Sequence, residues 1–473
     1  MLKPPSALLS LFSQFDLSSR PNIVAAVSGG SDSTALLLLL REHLLRHAPN
    51  TRLVAVTVDH GLRSSSAAEA EAVARLCAGK EIEHRTLRWS EAKPSSGIPA
   101  AAREARYRLL AQAAREAGTD IVFTGHTVND QAETVFMRKA RGDGLGLSGM
   151  APATLYDGTI WLLRPFLGER RAVLRNHLIS QGVPWAEDAT NADARFERPR
   201  VRARLKDDTP DLTTTVVYAG TLFEGIFDRP AQPGGEIASL LALARRRGRD
   251  RADLANRGAV LLTALARLAA PGLLHLDPSF ARYRDRPAAL HALRVLLATV
   301  GGSEFLPPAE RIEAVLERLA KPPFRGTLSR TLVAARGDGV WLARETRGLP
   351  GPVPVEDGAI WDGRFRLRVE KHAGQLHIAA RQSAAAEIPG APDARLPRSL
   401  ARAAWAGQPI FQSSASGPVR TDPPDGICLV PVAAPYARFL PSFDLDLAEA
   451  VNRLIGAPQI PAPPFREHIG SKA

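Results

Sequence analysis

The sequence predicts an α/β fold: a doubly wound parallel sheet followed by a helical middle region and a smaller β-containing C-terminal region. Two observations carry this. Short apolar runs alternate with helix-period stretches through roughly the first quarter of the chain, which is the pattern of β-α-β units. After about residue 325, helical periodicity gives way to alternating apolar and polar residues around glycine turns.

The elements follow in order. Residues 1–21 hold one lysine and a broken apolar stretch, which predicts a short helix and no signal peptide. Strands are expected at 23–27, 53–58, 82–87 (the weakest) and 121–124. Helices are expected at 33–47, 66–78 and 100–117. The three clear strands end in SGGSDS, DHGLR and GHTVNDQAET, and in doubly wound sheets ligands bind at the carboxyl ends of strands. Residues 207–236, rich in Pro, Gly, Thr and Asp, read as a linker or irregular insertion. Amphipathic helices are expected at 236–270, 286–300 and 308–320, with RRRGRDR at 245–251 inside the first. LVAARGDGVWLARE predicts a hairpin turning at 337–339. FRLRVEKHAGQLHI (365–378) alternates on both sides of Ala373 and Gly374 and reads as a second. The tail after 390 has no assignment.

The chain carries 61 basic and 49 acidic residues, a formal net charge of +12. This suits a polyanionic partner, most simply nucleic acid, and equally a genome biased toward arginine and alanine. Two distant cysteines, Cys77 and Cys428, argue against a CxxC metal site and against a disulfide-stapled secreted domain. No apolar run approaches the ~20 residues that span a bilayer. The expectation is a soluble, cytoplasmic protein that makes no membrane contact.

The stretch Ser28, Gly29, Gly30, Ser31, Asp32, Ser33 joins the first strand to a helix. Glycines let backbone N–H groups approach an anion, the helix N-terminus adds its positive end, and three hydroxyls can donate. The loop can therefore hold phosphates without the lysine of the GxxxxGK[ST] signature. A carboxylate at Asp32 would repel a polyphosphate unless a divalent cation, best Mg²⁺, stood between them. Such a loop suits pyrophosphate as a leaving group; the plainer alternative is a capped β-turn-α junction.

SGGSDS resembles the SGGxDS loop of the N-type ATP pyrophosphatases, the PP-loop proteins, which split ATP to AMP and pyrophosphate. VDHGLR (58–63), AAREARYRLL (101–110), GHTVNDQAET (125–134), RGDGLGLSGM (141–150), RPF (164–166) and WAEDATNADARFERPRVR (185–202) follow in order. This series resembles the tRNA(Ile)-lysidine synthetases and covers roughly the first 205 residues. The resemblance implies that ATP adenylates C2 of the wobble cytidine of a CAU anticodon and that free L-lysine then displaces AMP. Two positions depart from the family pattern: Asn129 replaces an acid, and Pro199 replaces an asparagine. The implied organisation is a PP-loop catalytic domain at 1–205, a linker at 206–235, a helical middle domain at 236–325, and a C-terminal region at 326–473 as the candidate tRNA-binding module.

The residues agree with these expectations. His126, Asp130 and Glu133 are spaced i, i+4, i+7, so one helix would place them on one face. Two carboxylates and an imidazole could hold an ammonium group and take its proton. With Asp32 and Arg106 they form the expected catalytic set. The loop residues 28–33 and Asp59 are the expected ATP ligands, and Asp32 is the expected Mg²⁺ ligand. Arg103 and Arg106 could stabilise phosphate charge beside Tyr107. Arg198, Arg200, Arg202 and Arg204 alternate, and as an extended arm would line one edge. Arg103, Arg198, Arg200 and Arg202 are the expected tRNA contacts. A tRNA thiolase would need reactive cysteines or an iron–sulfur cluster, and a non-catalytic RNA-binding module would have no use for the intact loop.

Overall fold

A first short helix, α1 (Pro5–Leu9), leads into β1 (Asn22–Ala26), whose Ile23, Val24 and Ala25 are fully buried. A strand apolar on both faces belongs in the middle of a covered parallel sheet, and β1 lies there. The chain is described here by a computed structural model covering residues 5–62, 66–142, 144–187, 195, 197–205, 235–370, 376–381, 396–413 and 419–465. It forms two compact units: Met1–Arg251 with Pro441–Phe443 and Pro461–Ala473, and Ala252–Leu440 with Asp444–Ile460.

In the first unit the elements alternate as α2 (Ser31–His47), β2 (Arg52–Asp59), α3 (Ser66–Ala78), β3 (Glu83–Arg88), α4 (Ile98–Glu116), β4 (Ile121–Phe123) and α5 (Val128–Lys139). β5 (Ala153–Tyr156), β6 (Ile160–Leu163), α6 (Arg171–Ser180) and α7 (Glu197–Arg204) follow. Strand order is β5-β6-β4-β1-β2-β3. β1, β2, β3, β4 and β6 are parallel. The order reverses between β1 and β4, the switch point at which doubly wound sheets bind ligands. The loops after both strands therefore share one crevice. The parallel reading of the first four strands holds. The hairpin of β5 and β6 adds an antiparallel strand that the sequence reading did not anticipate.

Two expectations in this unit need correction. The arginines at 198–204 do not form an extended arm: they lie on helix α7. Val201 and Leu205 pack with Val128 and Ala132 of α5, and a helical turn is what brings 201 and 205 to one side. Helix α5 starts at Val128, so His126 precedes it and does not share its face with Asp130 and Glu133.

The helix expected at 236–270 ends at Leu265; α8 is Glu236–Leu265, its residues to Arg251 counted in the first unit and the rest in the second. Residues Ala266–Ala270 form β7, paired with β8 (Leu273–Leu276) across Pro271 and Gly272. Proline cannot continue a helix, and Gly272 takes a positive φ of 74°. The helices expected next appear as α9 (Arg286–Gly301) and α10 (Ala309–Leu319). β9 (Phe324–Leu328), β10 (Thr331–Arg336) and β11 (Gly339–Arg344) complete an antiparallel sheet in the order β7-β8-β11-β10-β9. The hairpin of β10 and β11 is the one expected, turning through Gly337 and Asp338.

The second expected hairpin is absent. Phe365–Val369 pairs with Ile360–Trp361 and Ile427–Pro431, whereas His377–Ala380 pairs with Val353–Pro354 and Pro409–Gln412 in another sheet. Both sheets bury their apolar faces in one cluster of Trp361, Leu367, Ile378 and Phe411. Alternation showed a buried face on each strand but not its partner; Ala373 and Gly374 lie outside the described residues. So do 206–234, nearly all of the expected linker. No helix among the described residues is long and apolar enough to cross a membrane.

Candidate active site

The loop after β1 turns at Gly29, whose φ of 86° suits glycine. The Ser33 hydroxyl stitches the turn: it accepts from the Ser28 N–H at 3.1 Å and donates to the Gly30 carbonyl at 3.0 Å. The Gly29 carbonyl accepts from the Ala186 N–H at 2.9 Å, tying the stretch around Trp185 to the loop. Ser31 opens the 17-residue helix α2. Its first-turn N–H groups have no intrahelical partner and face an anion with the dipole's positive end.

Gly125, leaving β4, lies against this loop. A Cβ there would sit 2.9 Å from the Asp32 carbonyl oxygen and 3.1 Å from the Ser33 nitrogen. Both are backbone atoms, so glycine is required for the two motifs to meet.

Three carboxylates face three guanidinium groups across the crevice. Arg171, at the start of α6, donates from Nε to Asp32 Oδ2 at 2.7 Å and from Nη2 to Asp130 Oδ1 at 3.2 Å. Its Nη1 is 4.0 Å from Glu133 Oε1. Glu133, 2% exposed, also accepts from Nε of Arg198 and Nε of Arg202, both at 2.8 Å. The spacing i, i+4 on α7 puts both arginines on this one acid. The other Asp130 oxygen accepts from the Thr127 N–H and hydroxyl, each at 2.9 Å, fixing the entry to α5. Asn129, where the family pattern has an acid, accepts from the Arg171 N–H at 3.0 Å and so anchors the start of α6.

The environments of the acids differ. Burial pushes the Asp32 carboxyl above the usual range despite Arg171. Burial acts the same way on Asp130, but the charges of Arg171 and Arg198 and the Thr127 N–H outweigh it and hold Asp130 ionised. His126 is held well below the ordinary imidazole range by burial, then by the charge of Arg164. It is neutral. The Thr124 hydroxyl donates to the Leu163 carbonyl at 3.1 Å and contacts His126 Nδ1 at 2.9 Å. With that proton on Leu163, Nδ1 carries the imidazole hydrogen and Nε2 keeps a lone pair, as a base requires.

On α4, the guanidinium groups of Arg103 and Arg106 lie 4.9 and 5.0 Å from the centre of the Tyr107 ring. Asp59 ends β2, where one carboxylate oxygen accepts from the Gly61 N–H at 2.8 Å and the other lies 3.7 Å from Arg88. Arg200 donates to the Arg195 carbonyl at 3.1 Å, away from Glu133, and Arg204 stacks on Phe136 at 4.9 Å. The Trp185 indole N–H meets Glu187 at 2.8 Å, while Asp188 and Asn191 lie outside the described residues.

A family model described as a PP-loop domain matches residues 6–209. A tRNA(Ile)-lysidine synthase of Mesorhizobium japonicum is 46% identical over 98% of this chain and 98% of its own length. The chain belongs to the tRNA(Ile)-lysidine synthase family. Proteins of the same name from Rhizobium meliloti (37% identical, 94% of both chains) and Brucella anthropi (39%, 77% of both) agree. The likeness to tRNA(Ile)-lysidine synthases thus extends through the second unit, well past the 205 residues whose motifs first carried it. Two members of this family member's crevice escaped the sequence reading. Arg171 lies in GERRAVLR, a stretch that matched none of the motifs and carried no assignment. Arg164 had a signal in RPF, but not one that distinguished a buried guanidinium from a surface one.

Proposed function

We propose that this chain ligates free L-lysine to C2 of the wobble cytidine, position 34, of the tRNA(Ile) that bears a CAU anticodon. ATP adenylates the cytidine and releases diphosphate; an amine of lysine then attacks C2 and displaces AMP, giving lysidine. The observation that carries the reading is the seating of Gly125 on the Asp32 backbone. It brings the phosphate loop and the carboxylates Asp130 and Glu133 into one crevice.

In this reading Ser28, Gly29, Gly30, Ser31 and Ser33 hold the phosphates of ATP, and Asp59 lies at the nucleoside end. Among the described residues no three His, Cys, Asp or Glu side chains gather as a metal cage. Mg²⁺ does not need one, since it keeps waters and takes one or two carboxylates with substrate phosphates. Asp32 beside serine hydroxyls fits that donor set, and a bound Mg²⁺ would offset the charge of the departing diphosphate. Arg106 stabilises the α-phosphate as the bond to diphosphate breaks. Glu133 and Asp130 already attract cationic side chains, the charge type of a lysine ammonium group. His126, neutral and with Nε2 unprotonated, takes the proton as the amine attacks.

The test is diphosphate release from ATP with a tRNA(Ile) CAU transcript, followed by AMP release with and without lysine. Lysine should complete the second step, and sulfide or other amino acids should not; equal service by either sinks the lysidine reading in favour of a thiolase or a looser transferase.

The arginines of α7 give a separable result. Arg200 donates to the Arg195 carbonyl, not to Glu133 as Arg198 and Arg202 do, and should bind RNA phosphate. Arg200→Ala should lower the slope of log affinity against log salt by about one. Arg202→Ala should leave that slope unchanged and alter the KM for lysine, because Arg202 stands on Glu133. Filter binding over a salt series checks both. An unchanged slope for Arg200→Ala takes that residue off the RNA surface.

A further inference from the structure

Tyr107 has no exposed surface, yet it is ringed by positive charge. Arg106 Nη2 donates to its hydroxyl oxygen at 3.3 Å, and the charge of Arg164 acts on the same group. Arg103 and Arg106 also cover the ring faces. Arg164 is 4% exposed; its Nη1 serves the Ala151 carbonyl at 2.7 Å and the Thr154 hydroxyl at 2.9 Å, and its Nε has no partner. The Arg106 Nε is also buried without one. Among the described residues, no Asp or Glu pairs with any of these three arginines within 4.0 Å. This is unlike the neighbouring cluster, where Arg171, Arg198 and Arg202 each have a carboxylate.

Three guanidinium groups gathered without an acid would repel one another unless something beside them carries negative charge. The side chain they gather around is that of Tyr107, with Arg103 and Arg106 over its ring and Arg106 on its hydroxyl. We propose that the Tyr107 oxygen, as a phenolate, is the counter-ion that gathers Arg103, Arg106 and Arg164 into one site for a phosphate group. Tyr107 is then a positioning residue: it acts through the arginines and does not touch substrate. The step balances simply. The phenol gives its proton to solvent when the site is empty. It takes one back when a phosphate of the RNA or nucleotide assumes the neutralising role. The inference rests on the proposed phosphate-facing roles of Arg103 and Arg106.

The charged and titratable groups around the phenol agree. Burial alone would raise its pKa, but Arg106, Arg103 and Arg164 outweigh burial and bring it down to about 7. The Tyr156 ring of β5 lies 6.1 Å from it, and burial, then the charge of Arg164, holds His126 well below the ordinary imidazole range.

The test needs no variant at first. The full chain, with its five tyrosines, is titrated from about pH 6 to about pH 9, below the ordinary tyrosine range, while tyrosinate absorbance is read. One tyrosine should ionise with a midpoint of about 7, and Tyr107→Phe should lack that step. Absence of tyrosinate in the wild-type chain across this range overturns the proposal, whatever the variant does. A CAU anticodon stem-loop transcript should then move the wild-type midpoint upward. A tyrosinate that appears but ignores both the transcript and Mg²⁺·ATP upholds the counter-ion and removes phosphate from Arg103 and Arg106. In turnover, Tyr107→Phe should raise the KM for tRNA about tenfold, the size of a lost orienting partner, and flatten the pH profile near neutrality. An unchanged KM together with an unchanged pH profile overturns the positioning role.

Discussion

Asp32→Asn should abolish diphosphate release from ATP while the protein still binds RNA. Asp32 is the acid of the phosphate loop, and its carboxylate is the group there that can ligate a divalent cation. Asparagine keeps the shape and one accepting oxygen but loses the charge. The loss should be at least about 10²-fold in turnover, the scale on which a single preorganised electrostatic contact acts. The fold should survive, because Arg171 retains Asp130 at 3.2 Å when Asp32 is neutral. Diphosphate release with the CAU transcript, measured beside filter binding of the same RNA and a thermal melt, separates the possibilities. Turnover within a few-fold of wild type would falsify the metal and phosphate role. Loss of RNA binding with a collapsed melt would assign Asp32 to structure.

Gly125→Ala should be nearly as damaging, for a steric reason. The added methyl would meet the Asp32 carbonyl oxygen at 2.9 Å and its carbon at 3.0 Å. Neither atom belongs to a flexible side chain, so the loop and the start of α5 must separate. Overpacking of this kind costs about 1–3 kcal/mol of stability. The larger effect should be on rate, since a displacement approaching 1 Å between reacting groups lowers turnover about 10²-fold. A melt lowered by a few degrees with turnover reduced about 10²-fold is the expected pair. Wild-type turnover in Gly125→Ala would show that the two motifs need not touch.

These two residues also show what was legible in the sequence. Asp32 was singled out by its place: an acid in a glycine–serine loop between an apolar strand and a helix, which suggested a cation beside phosphate. Gly125 was visible as the first letter of a motif, but not its reason, because its neighbour lies more than ninety residues earlier in the chain. The alternating arginines of 198–204 misled for a related cause. Alternation suits a strand, but Val201 and Leu205 had an apolar partner in α5 that only a helix could reach. Glu133 then drew Arg198 and Arg202 inward. The hairpin expected at 365–378 failed the same way, since each strand's buried face was real and its partner was elsewhere.

By itself the sequence determined the strand–helix alternation of the first unit, the phosphate loop, and the family. Each of these is written in local periodicity or in short ordered motifs, which nearest neighbours along the chain can impose. Only the tertiary structure decided which charges meet. Arg171 joins Asp32 to Asp130 across 139 and 41 residues of chain, and Arg164, just past β6, acts on Tyr107 of helix α4. Ion pairing and burial depend on distance in space, where a guanidinium is worth little in water and much in a crevice. That distance is set by the sheet's reversal between β1 and β4, and no stretch of sequence short enough to read as a motif contains it.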